Sequence, residues 1–313
     1  MRILITGGAG FIGSHLVEHY HNNAEVVVLD NLRTGKTRNL HGLRHTFIHG
    51  SITDKATVHS AMHGIDVVFH LAAMISVPES MRKPAECVEI NVLGLLNVLD
   101  AAATHGVKKV VLASSAAIYG DNPSVPKTED MLPEPMSPYA ITKLDGEYYL
   151  DLYRRQHGLN TTALRFFNVF GPRQDPNSAY AAAVPIFFQN ALSGQNLTIF
   201  GDGSQTRDFV HVKDIVAALD HAAFRSELHG VFNVGYGTSM TVRELAEMII
   251  RQTNSSSSII HAPERPGDVK HSRASIDKLI STGFQHVSSL ENGLADARQY
   301  LQSDSSGSLA IPP

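Results

Sequence analysis

Short apolar runs alternate with helix-patterned segments along the first 170 residues of the chain. The runs are rich in β-branched and other apolar residues, which is typical of buried strands. Strands are predicted at residues 3–6, 25–29, 45–48, 67–69, 110–113 and 164–167. Apolar residues recur at helical spacing over residues 11–21, 91–105 and 139–156. This alternation predicts an α/β fold of the Rossmann type, a doubly wound parallel sheet with helices on both faces.

The alternation loosens from about residue 172, which predicts a second, smaller α/β region. We expect residues 1–171 to form the first domain and residues 172–302 the second, with some segments of the second returning to the core of the first. Thr241 and Glu244 stand at the spacing of a capping box, which predicts a helix that runs from there to Arg251. The small, polar segment 303–313 is predicted to be disordered.

The composition excludes several classes of function. A formal net charge of −4 and a charged fraction of 18% give no basic field for nucleic acid or an anionic membrane, so small molecules are the expected partners. Cys87 is the only cysteine, which rules out an intramolecular disulfide and fits a reducing compartment. The sequence runs at once into a predicted strand, and no apolar run approaches the ~18 residues of a membrane span. We therefore expect a cytoplasmic protein.

The 17 histidines of the chain raise the question of a metal site. His15 and His19 stand at helical i, i+4 spacing. No carboxylate or cysteine cluster accompanies them in the sequence, so an ordinary exposed pair is expected and no metal site is predicted.

A glycine-rich loop follows the first predicted strand. Gly7, Gly10 and Gly13 lie between that strand and a predicted helix, so the backbone can approach a pyrophosphate at the positive end of the helix dipole. A tight turn without a ligand is the alternative. Asp30 ends the second strand and is placed to accept the ribose hydroxyls of adenosine and to repel a 2′-phosphate. These positions predict a dinucleotide site that favours NAD over NADP, although Arg33 lies close by.

Tyr139 and Lys143 are the residues that we expect to carry the chemistry. Ser137 is predicted to cap a helix that begins at Pro138, so Tyr139 and Lys143 lie one turn apart on one face. A phenol has a pKa of about 10, and its anion must gain roughly 4 kcal/mol to act as a base near pH 7. An ammonium about 4–6 Å away supplies on the order of 3–4 kcal/mol, and a nicotinamide cation would add to it. A chance pair on a solvated helix face is the alternative.

A serine-containing turn is predicted directly after the fifth strand, with the sequence Ala113-Ser114-Ser115-Ala116-Ala117-Ile118-Tyr119-Gly120. Small residues and hydroxyls at a strand end can place a hydrogen bond on a substrate oxygen without filling the pocket. A plain loop with two serines is the alternative. In a doubly wound sheet the ligand lies beyond the carboxyl ends of the strands, which is where this turn and the glycine loop fall.

Together these motifs resemble the extended short-chain dehydrogenase/reductase family, and within it the UDP-glucose 4-epimerases. The resemblance follows the family's motif order over residues 1–300 and rests on the glycine loop, the serine turn, Ser137-Pro138-Tyr139 with Lys143, Asp30-Asn31-Leu32, Phe69-His70-Leu71-Ala72-Ala73, Asn91-Val92 and Arg165-Phe166-Phe167-Asn168-Val169-Phe170-Gly171-Pro172. It implies an NAD-dependent isomerase in which Ser115, Tyr139 and Lys143 are catalytic. The NAD contacts that it implies are Gly7, Gly10, Phe11, Ile12, Gly13, Asp30, Asn31, Ser51, Ile52, Leu71, Ala72, Ala73, Asn91, Tyr139 and Lys143.

Two positions depart from the family pattern. The family usually has an acidic residue near adenine, as in Gly-Asp-Ile, where this chain has Gly50-Ser51-Ile52. Some epimerases place a lysine near the nicotinamide end, where this chain has Ile75. The resemblance therefore implies a weaker hold on NAD than in those relatives.

Later segments resemble the nucleotide-sugar-binding segments of the family, which assigns residues 172–302 to a UDP-sugar. Arg207 and Arg265 would grip the diphosphate through charge-assisted hydrogen bonds, and Asn168 would contact it through polar groups. A solvated charge and a surface turn are the alternatives for the two arginines. The implied substrate contacts are Ser115, Tyr139, Asn168, Val184, Thr198, Arg207, Arg265, Asp268 and Ser272.

Ser272 falls at the position of the family's sugar-pocket gate, counted from the segment 265–268. Members restricted to plain hexoses carry a tyrosine there, whereas members that accept N-acetylhexosamines carry a small residue. The resemblance thus implies activity on UDP-glucose and UDP-galactose and also on UDP-GlcNAc and UDP-GalNAc. A surface serine in a shifted loop is the alternative.

The resemblance implies a redox-neutral reaction, in which Tyr139 takes the proton of the sugar 4-hydroxyl and a 4-keto sugar is re-reduced on its other face. The alternatives within the family are 4,6-dehydratases, decarboxylases and UDP-glucuronate 4-epimerases. Dehydratases and decarboxylases carry acidic residues where this chain has Ala116 and Ala117, which favours epimerisation. A non-catalytic NAD-binding scaffold is the alternative from another class. Relatives commonly dimerise through helices at 91–105 and 139–155, so a homodimer is expected.

Overall fold

The computed structural model describes residues 1–177, 182–264 and 269–305. The strands of the described residues are β1 (Arg2–Thr6), β2 (Glu25–Asp30), β3 (Thr46–His49), β4 (Val67–His70), β5 (Lys109–Ser115), β6 (Thr161–Phe166), β7 (Asn168–Phe170), β8 (Leu197–Phe200), β9 (Thr206–Arg207), β10 (Phe209–His211), β11 (Gly230–Val234), β12 (Met240–Thr241) and β13 (Ile259–Ala262). The helices are α1 (Phe11–Tyr20), α2 (Lys55–Ala61), α3 (Val77–Arg82), α4 (Pro84–Val88), α5 (Gly94–Thr104), α6 (Pro138–His157), α7 (Ala183–Leu192), α8 (Val212–Ala223), α9 (Val242–Thr253), α10 (Asp277–Ile280) and α11 (Leu290–Ser305).

A seven-stranded parallel sheet lies at the centre, in the order β3-β2-β1-β4-β5-β6-β11. The predicted fold class is therefore confirmed. The strand order reverses between β1 and β4, which is the place where a doubly wound sheet opens a crevice for a ligand. Both faces are covered, one by a core that includes α1 and α8 and the other by a core that includes α2, α5 and α6.

Strand β6 begins three residues before the predicted start at residue 164. Its first two residues, Thr161 and Thr162, are fully buried, which their polar side chains did not indicate. Their hydroxyls donate to the backbone carbonyls of Leu150 (3.0 Å) and Leu228 (2.6 Å). Because each buried hydroxyl has a partner, a threonine pair can occupy a central strand of the sheet.

The predicted helix at 91–105 is longer in the structure. Residues Pro84–Thr104 form one apolar helix, in which α4 continues through a π-helical turn (Glu89–Leu93) into α5. By length and composition alone this helix could cross a membrane, but half of its most apolar window is buried inside the molecule. Leu95, Val98 and Leu99 belong to the core of the sheet. The apolar character of the helix is thus explained by its packing.

The later residues build a hydrophobic core of their own from α7, α9 and α11, which is separate from the two cores on the faces of the sheet and is called the second core because it belongs to the second region. Short strands pair around it: β7 with β10, β8 with β13, and β9 with β12. The capping box is confirmed, since the Thr241 hydroxyl accepts from the Glu244 amide (3.1 Å) and the Glu244 carboxylate accepts from the Thr241 amide (2.7 Å). Helix α9 ends at Thr253, two residues beyond the predicted end.

The predicted disorder from Ser303 is wrong for its first three residues, because helix α11 continues to Ser305. Leu294, Ala297 and Leu301 recur at helical spacing and are buried in the second core. This buried stripe explains why α11 persists into a polar sequence. Residues 306–313 lie outside the described residues.

Candidate active site

A cleft opens at the carboxyl ends of the central strands, where the strand order reverses. It is lined by Gly7, Gly10, Phe11, Ile12, Gly13, Leu29, Asp30, Asn31, Arg33, Thr34, Gly50, Ser51, Ile52, Leu71, Ala72, Ala73, Ile75, Ile90, Ala113, Ser114, Ser115, Tyr139, Lys143, Phe166, Val169 and Gln174. The structure thus brings together the glycine loop, the serine turn and the start of α6, which come from distant parts of the chain. Of the predicted NAD contacts, Asn91 is not in this lining.

The glycine loop packs too closely against neighbouring backbone to hold larger residues. A Cβ on Gly13 would lie 2.2 Å from the Gly7 carbonyl, and one on Gly7 would lie 2.8 Å from the Ala72 amide. Gly7 also has a φ of +73°, which favours glycine. Gly10 is the N-cap residue of α1 and has no side chain to bond the N–H groups of the first turn. This loop fits the diphosphate of a dinucleotide at the helix N-terminus.

Asp30 ends β2 at the cleft and is buried. Its two oxygens accept hydrogen bonds from the backbone amides of Ala9 (3.0 Å) and Leu32 (2.8 Å). A carboxylate has about four acceptor sites, so Asp30 keeps capacity for two hydroxyl donors. This geometry fits the vicinal hydroxyls of a ribose.

Ser115, Tyr139 and Lys143 meet at the other end of the cleft. Ser115 is the last residue of β5, and α6 begins beside it with Ser137 as N-cap and Pro138 as first residue, as predicted. The Ser137 hydroxyl accepts from the Ala140 amide at 3.2 Å. The Lys143 ammonium lies 5.8 Å from the centre of the Tyr139 ring. It donates to the Ala113 carbonyl at 2.7 Å, so the lysine is anchored to the end of β5.

Burial shifts the pKa values of both α6 groups toward their neutral forms. It lowers the pKa of Lys143 to about 8, although Cys87 and Glu147 act to raise it. Burial likewise raises the pKa of Tyr139, and the hydrogen bond with Ser115 acts to lower it. The predicted lowering of the Tyr139 pKa by Lys143 alone is therefore wrong, because desolvation of the buried phenolate is the largest influence on this pKa and raises it.

A buried polar network fixes α6 against the sheet one turn beyond Lys143. The Glu147 carboxylate forms a bidentate ion pair with Arg165 of β6, with distances of 2.9 and 2.7 Å. It also accepts a hydrogen bond from Ser114 of β5 at 2.6 Å. The side chains of Glu147 and Arg165 are each only 4% exposed. This network joins the strand that carries Ser115 to the helix that carries Tyr139 and Lys143.

Asn91, a predicted NAD contact, is instead buried against the backbone of Met74. Its amide oxygen accepts from the Met74 amide (2.7 Å), and its nitrogen donates to the Met74 carbonyl (3.0 Å) and to the Thr142 hydroxyl (3.0 Å). These bonds use its carboxamide to hold the segment after β4 against α6. The side chain supports the wall of the cleft rather than facing into it.

Sequence reasoning missed Gln174, which lines the cleft. Its side-chain nitrogen donates to the Val169 carbonyl (3.1 Å), while its buried oxygen has no hydrogen-bond partner among the described residues. An unpartnered buried acceptor at a cleft is suited to a donor on a ligand. The only available signal was its position two residues after Pro172, the end of the segment on which the resemblance rests.

Backbone hydrogen bonds connect the segments that carry three of the predicted substrate residues, Asn168, Arg207 and Ser272. The exposed Asn168 starts β7, and its amide donates to the carbonyl of Asp208, the residue after Arg207, at 3.0 Å. The Ser272 amide donates to the Thr206 carbonyl (3.1 Å), next to Arg207 on β9. Arg207 and Ser272 are both half-buried. Backbone pairing thus brings Asn168, Arg207 and Ser272 into one neighbourhood.

The carboxylate of Asp208 holds together the backbone segments around Arg207 and Ser272. It is fully buried and accepts hydrogen bonds from the amides of Tyr236 (2.6 Å), Gly237 (3.1 Å) and Ala274 (3.0 Å). Burial raises the pKa of Asp208, and these three amides act to lower it. Its carboxylate therefore joins β11, β9 and the segment that carries Ser272.

The other predicted substrate residues are placed differently. Val184 lies in the first turn of α7 with its side chain buried in the second core, which leaves its backbone for the predicted substrate contact. The apolar surroundings of α7 explain this, because valine is stabilised there by burial. Thr198 is half-buried on β8. Arg265 and Asp268 lie outside the described residues.

Comparison with known proteins identifies the family. A model of the NAD dependent epimerase/dehydratase family matches residues 3–235. The chain belongs to this family. The UDP-glucose 4-epimerase of Mycolicibacterium smegmatis is 38% identical over 313 residues, which cover 97% of this chain and 100% of the relative. A UDP-N-acetyl-alpha-D-glucosaminuronate decarboxylase of Bacillus cytotoxicus is 40% identical over 310 residues, which cover 96% of this chain and 92% of the relative.

Solved structures of family members superimpose on nearly the whole chain. The UDP-N-acetylglucosamine 4-epimerase of Methanobrevibacter ruminantium, in complex with UDP-N-acetylmuramic acid, gives a TM-score of 0.94 at 39% identity and covers 97% of this chain and 98% of its own. The UDP-glucose 4-epimerase of Thermus thermophilus, in complex with NAD, gives a TM-score of 0.89 at 39% identity and covers 96% of this chain and 99% of its own. The resemblance inferred from the motifs is confirmed. The protein is a nucleotide-sugar epimerase or dehydratase with NAD as its cofactor.

Proposed function

We propose that the protein is a UDP-hexose 4-epimerase. One observation carries this proposal: Ser115, Tyr139 and Lys143 share one end of the cleft, while Asp30, at the other end, is the only carboxylate in the described lining. Water elimination and decarboxylation require a further acid or base beside the sugar. Epimerisation requires only one group that takes and returns a proton at the 4-hydroxyl.

The residues of the cleft divide into those that hold NAD and those that move a proton. Gly7, Gly10, Gly13 and Asp30 would hold the diphosphate and a ribose. NAD⁺, when bound, accepts a hydride from the sugar carbon and returns it. Tyr139 takes the proton of the 4-hydroxyl as general base and returns it as general acid, while Ser115 hydrogen-bonds the same oxygen. Lys143 supplies a positive charge that favours the phenolate of Tyr139.

Inversion at C4 requires firm binding of the nucleotide and loose binding of the hexose, because the 4-keto sugar must turn over before it is re-reduced. Arg207 is suited to firm binding of the diphosphate, since its strand is fixed by the buried Asp208. We extend the same role to Arg265. The small Ser272 beside the strand of Arg207 leaves the sugar free to rotate.

We further propose that the enzyme accepts N-acetylhexosamines, because the half-buried Ser272 leaves space beside the strand of Arg207. In Ser272→Tyr the ring would overlap an acetamido group, and overpacking typically costs ~1–3 kcal/mol. We expect this variant to lose about 10-fold or more of its activity on UDP-GlcNAc relative to UDP-glucose. Ser272→Ala, the matched small variant, should keep both activities. If Ser272→Tyr changed the activities on UDP-GlcNAc and UDP-glucose equally, the residue that limits the size of the sugar would lie elsewhere.

A decarboxylase or dehydratase reaction is the second candidate, and the 40% identity to the decarboxylase of Bacillus cytotoxicus favours it. Against it, the turn after Ser115 presents Ala116 and Ala117, which have no acid or base to assist C–C or C–O cleavage. A UDP-glucuronate 4-epimerase would use the same proton-transfer groups as the proposed enzyme. Product analysis separates these reactions.

The experiment that tests the proposal is incubation of the purified protein with UDP-glucose, UDP-galactose, UDP-GlcNAc, UDP-GalNAc and UDP-glucuronate. We expect interconversion of UDP-glucose with UDP-galactose and of UDP-GlcNAc with UDP-GalNAc. NADH, which is monitored by its absorbance, should not accumulate. A 4-keto-6-deoxy sugar, release of CO₂ or steady accumulation of NADH would contradict an epimerase.

We propose in addition a cytoplasmic homodimer. Five large apolar side chains of the helical segments 84–104 and 138–157 are substantially exposed: Val88 (43%), Leu93 (52%), Ile141 (47%), Tyr148 (62%) and Leu152 (41%). A second copy of the chain would cover them in a four-helix contact. Sedimentation equilibrium should give twice the mass of the chain for the wild type and one chain mass for Ile141→Glu/Leu152→Glu. A monomeric wild type would contradict this.

A further inference from the structure

A charged cluster surrounds Arg33, which lines the cleft together with Asp30. The Arg33 guanidinium pairs with the carboxylates of Glu79 (2.8 Å) and Glu86 (2.5 Å). The other Glu86 oxygen pairs with the Lys83 ammonium at 3.0 Å. Two cations and two carboxylates therefore balance within this cluster, and no positive charge is left over.

The cluster joins the loop after β2 to the two helices that follow β4. Arg33 follows β2 and lines the cleft together with Asp30. Glu79 lies on α3 and Glu86 on α4, both of which follow β4. The arginine side chain is 31% exposed, and the two glutamate side chains are 28% and 34% exposed. These contacts engage both terminal nitrogens of the guanidinium, Nη1 with Glu86 and Nη2 with Glu79.

Arg33 is the cation on which a phosphorylated ribose would depend. The described lining contains two cations, Arg33 and Lys143, and Lys143 lies at the catalytic end. Lys36, on the same loop as Arg33, is paired with Asp175 at 2.5 Å. A 2′-phosphate placed beside Asp30 would meet its carboxylate, and only a freed guanidinium could compensate for that repulsion.

We propose that Glu79 and Glu86 determine cofactor selectivity by withholding Arg33 from a 2′-phosphate. Two features then favour NAD over NADP: the carboxylate of Asp30 repels a 2′-phosphate, and Glu79 and Glu86 neutralise the Arg33 charge that would otherwise attract it. The inference goes beyond the proposed function, because it concerns the choice of cofactor and holds whichever nucleotide-sugar reaction the enzyme performs.

The test measures how well NADP⁺ displaces radiolabelled NAD⁺ from the full-length protein at low ionic strength. In Glu79→Gln/Glu86→Gln the amides retain the size of the side chains but no longer neutralise Arg33. We expect the concentration of NADP⁺ needed for half-displacement to fall ~10–50-fold relative to that of unlabelled NAD⁺, since charge-assisted bonds to phosphate are among the stronger ones. Each single variant should give part of this shift.

Two further variants decide whether the effect passes through Arg33. Glu247→Gln/Glu291→Gln removes two exposed carboxylates from α9 and α11, outside the cleft, and should leave the NADP⁺/NAD⁺ ratio unchanged. Adding Arg33→Ala to Glu79→Gln/Glu86→Gln should abolish the gain. An unchanged ratio in Glu79→Gln/Glu86→Gln, an equal gain in the control, or a gain that survives Arg33→Ala would each overturn the proposal.

Discussion

Tyr139 combines a buried phenol with an ammonium held in place one helical turn away. Because burial raises the pKa of Tyr139, the group serves as a base only with further positive charge beside it. We expect Tyr139→Phe to lower turnover ~10²–10⁴-fold, the usual contribution of a general acid–base group, with little change in UDP-sugar affinity. Steady-state kinetics and calorimetric titration with UDP-glucose measure the two quantities.

The matched control for this variant is Tyr148→Phe, which removes a phenol oxygen from an exposed tyrosine on the same helix. It should leave turnover within about twofold of wild type. If Tyr139→Phe also retained near-wild-type turnover, another group would have to be the base.

Lys143 gives the reaction a pH limit. Burial lowers its pKa from 10.5 to about 8, so the positive charge that favours the phenolate is lost as pH rises through about 8. We expect turnover to fall above that pH. In Lys143→Met this decline should disappear, and the low residual turnover should not depend on pH in this range.

The stability of the fold changes in the opposite direction to turnover. Between pH 8 and 10.5 the unfolded chain binds more protons at this lysine than the folded chain does, so the contribution of Lys143 to the free energy of unfolding rises with pH. Declining turnover caused by unfolding would appear as a parallel loss of circular dichroism.

At the scale of elements, the buried pair of Glu147 and Arg165 fixes α6 on β6 and, through Ser114, on β5. Glu147→Met leaves the Arg165 cation buried without a partner and should cost about 3–5 kcal/mol of unfolding free energy. Glu147→Met/Arg165→Met removes both charges and should recover most of that loss. Urea unfolding monitored by circular dichroism measures these differences.

An exposed pair on the same helix provides the comparison. Asp151 pairs with Arg155 at 2.7 Å, and both side chains are largely solvated, so Asp151→Asn should cost less than about 1 kcal/mol. If Glu147→Met/Arg165→Met were no more stable than Glu147→Met, the Arg165 guanidinium would have other contacts on which the fold depends.

The elements that the sequence predicted well are those with a clear apolar period. Each predicted strand of the sheet is present, and the cap of α6 and the capping box of α9 are confirmed. The start of β6 was hidden by Thr161 and Thr162, whose hydroxyls are satisfied by carbonyls distant in sequence. No local pattern contains such partners. Gln174 was missed because it lies two residues beyond Pro172, the last residue of the nearest motif.

The candidate site was predictable where a motif sits on a strand end, because β1, β2 and β5 carry their residues to one edge of the sheet. Asn91 could not be placed this way, because its side-chain carboxamide forms hydrogen bonds with the Met74 backbone and the Thr142 hydroxyl. The pKa of Tyr139 was also misjudged, because the spacing of two residues on a helix contains the attraction between them but not the desolvation around them.

At the scale of the whole molecule, the parallel sheet provides the NAD cleft and the second core provides a fixed strand for Arg207 beside Ser272. The second region is not independent of the first, since β11 completes the sheet and α8 packs against α1. A substrate held by its nucleotide in one region would present its sugar to the proton-transfer groups of the other. This arrangement suits a reaction in which the sugar moves away from the proton-transfer groups and returns to them while the nucleotide stays bound.

The most direct measurement follows deuterium at C4 of the sugar. UDP-[4-²H]glucose is incubated with the purified protein, and the UDP-galactose formed is analysed by mass spectrometry and NMR. An internal hydride return requires that the deuterium remain at C4 in the product, with no NADH accumulating beyond the enzyme concentration. Loss of the label to solvent, a 4-keto-6-deoxy product or stoichiometric NADH would contradict the proposed 4-epimerase.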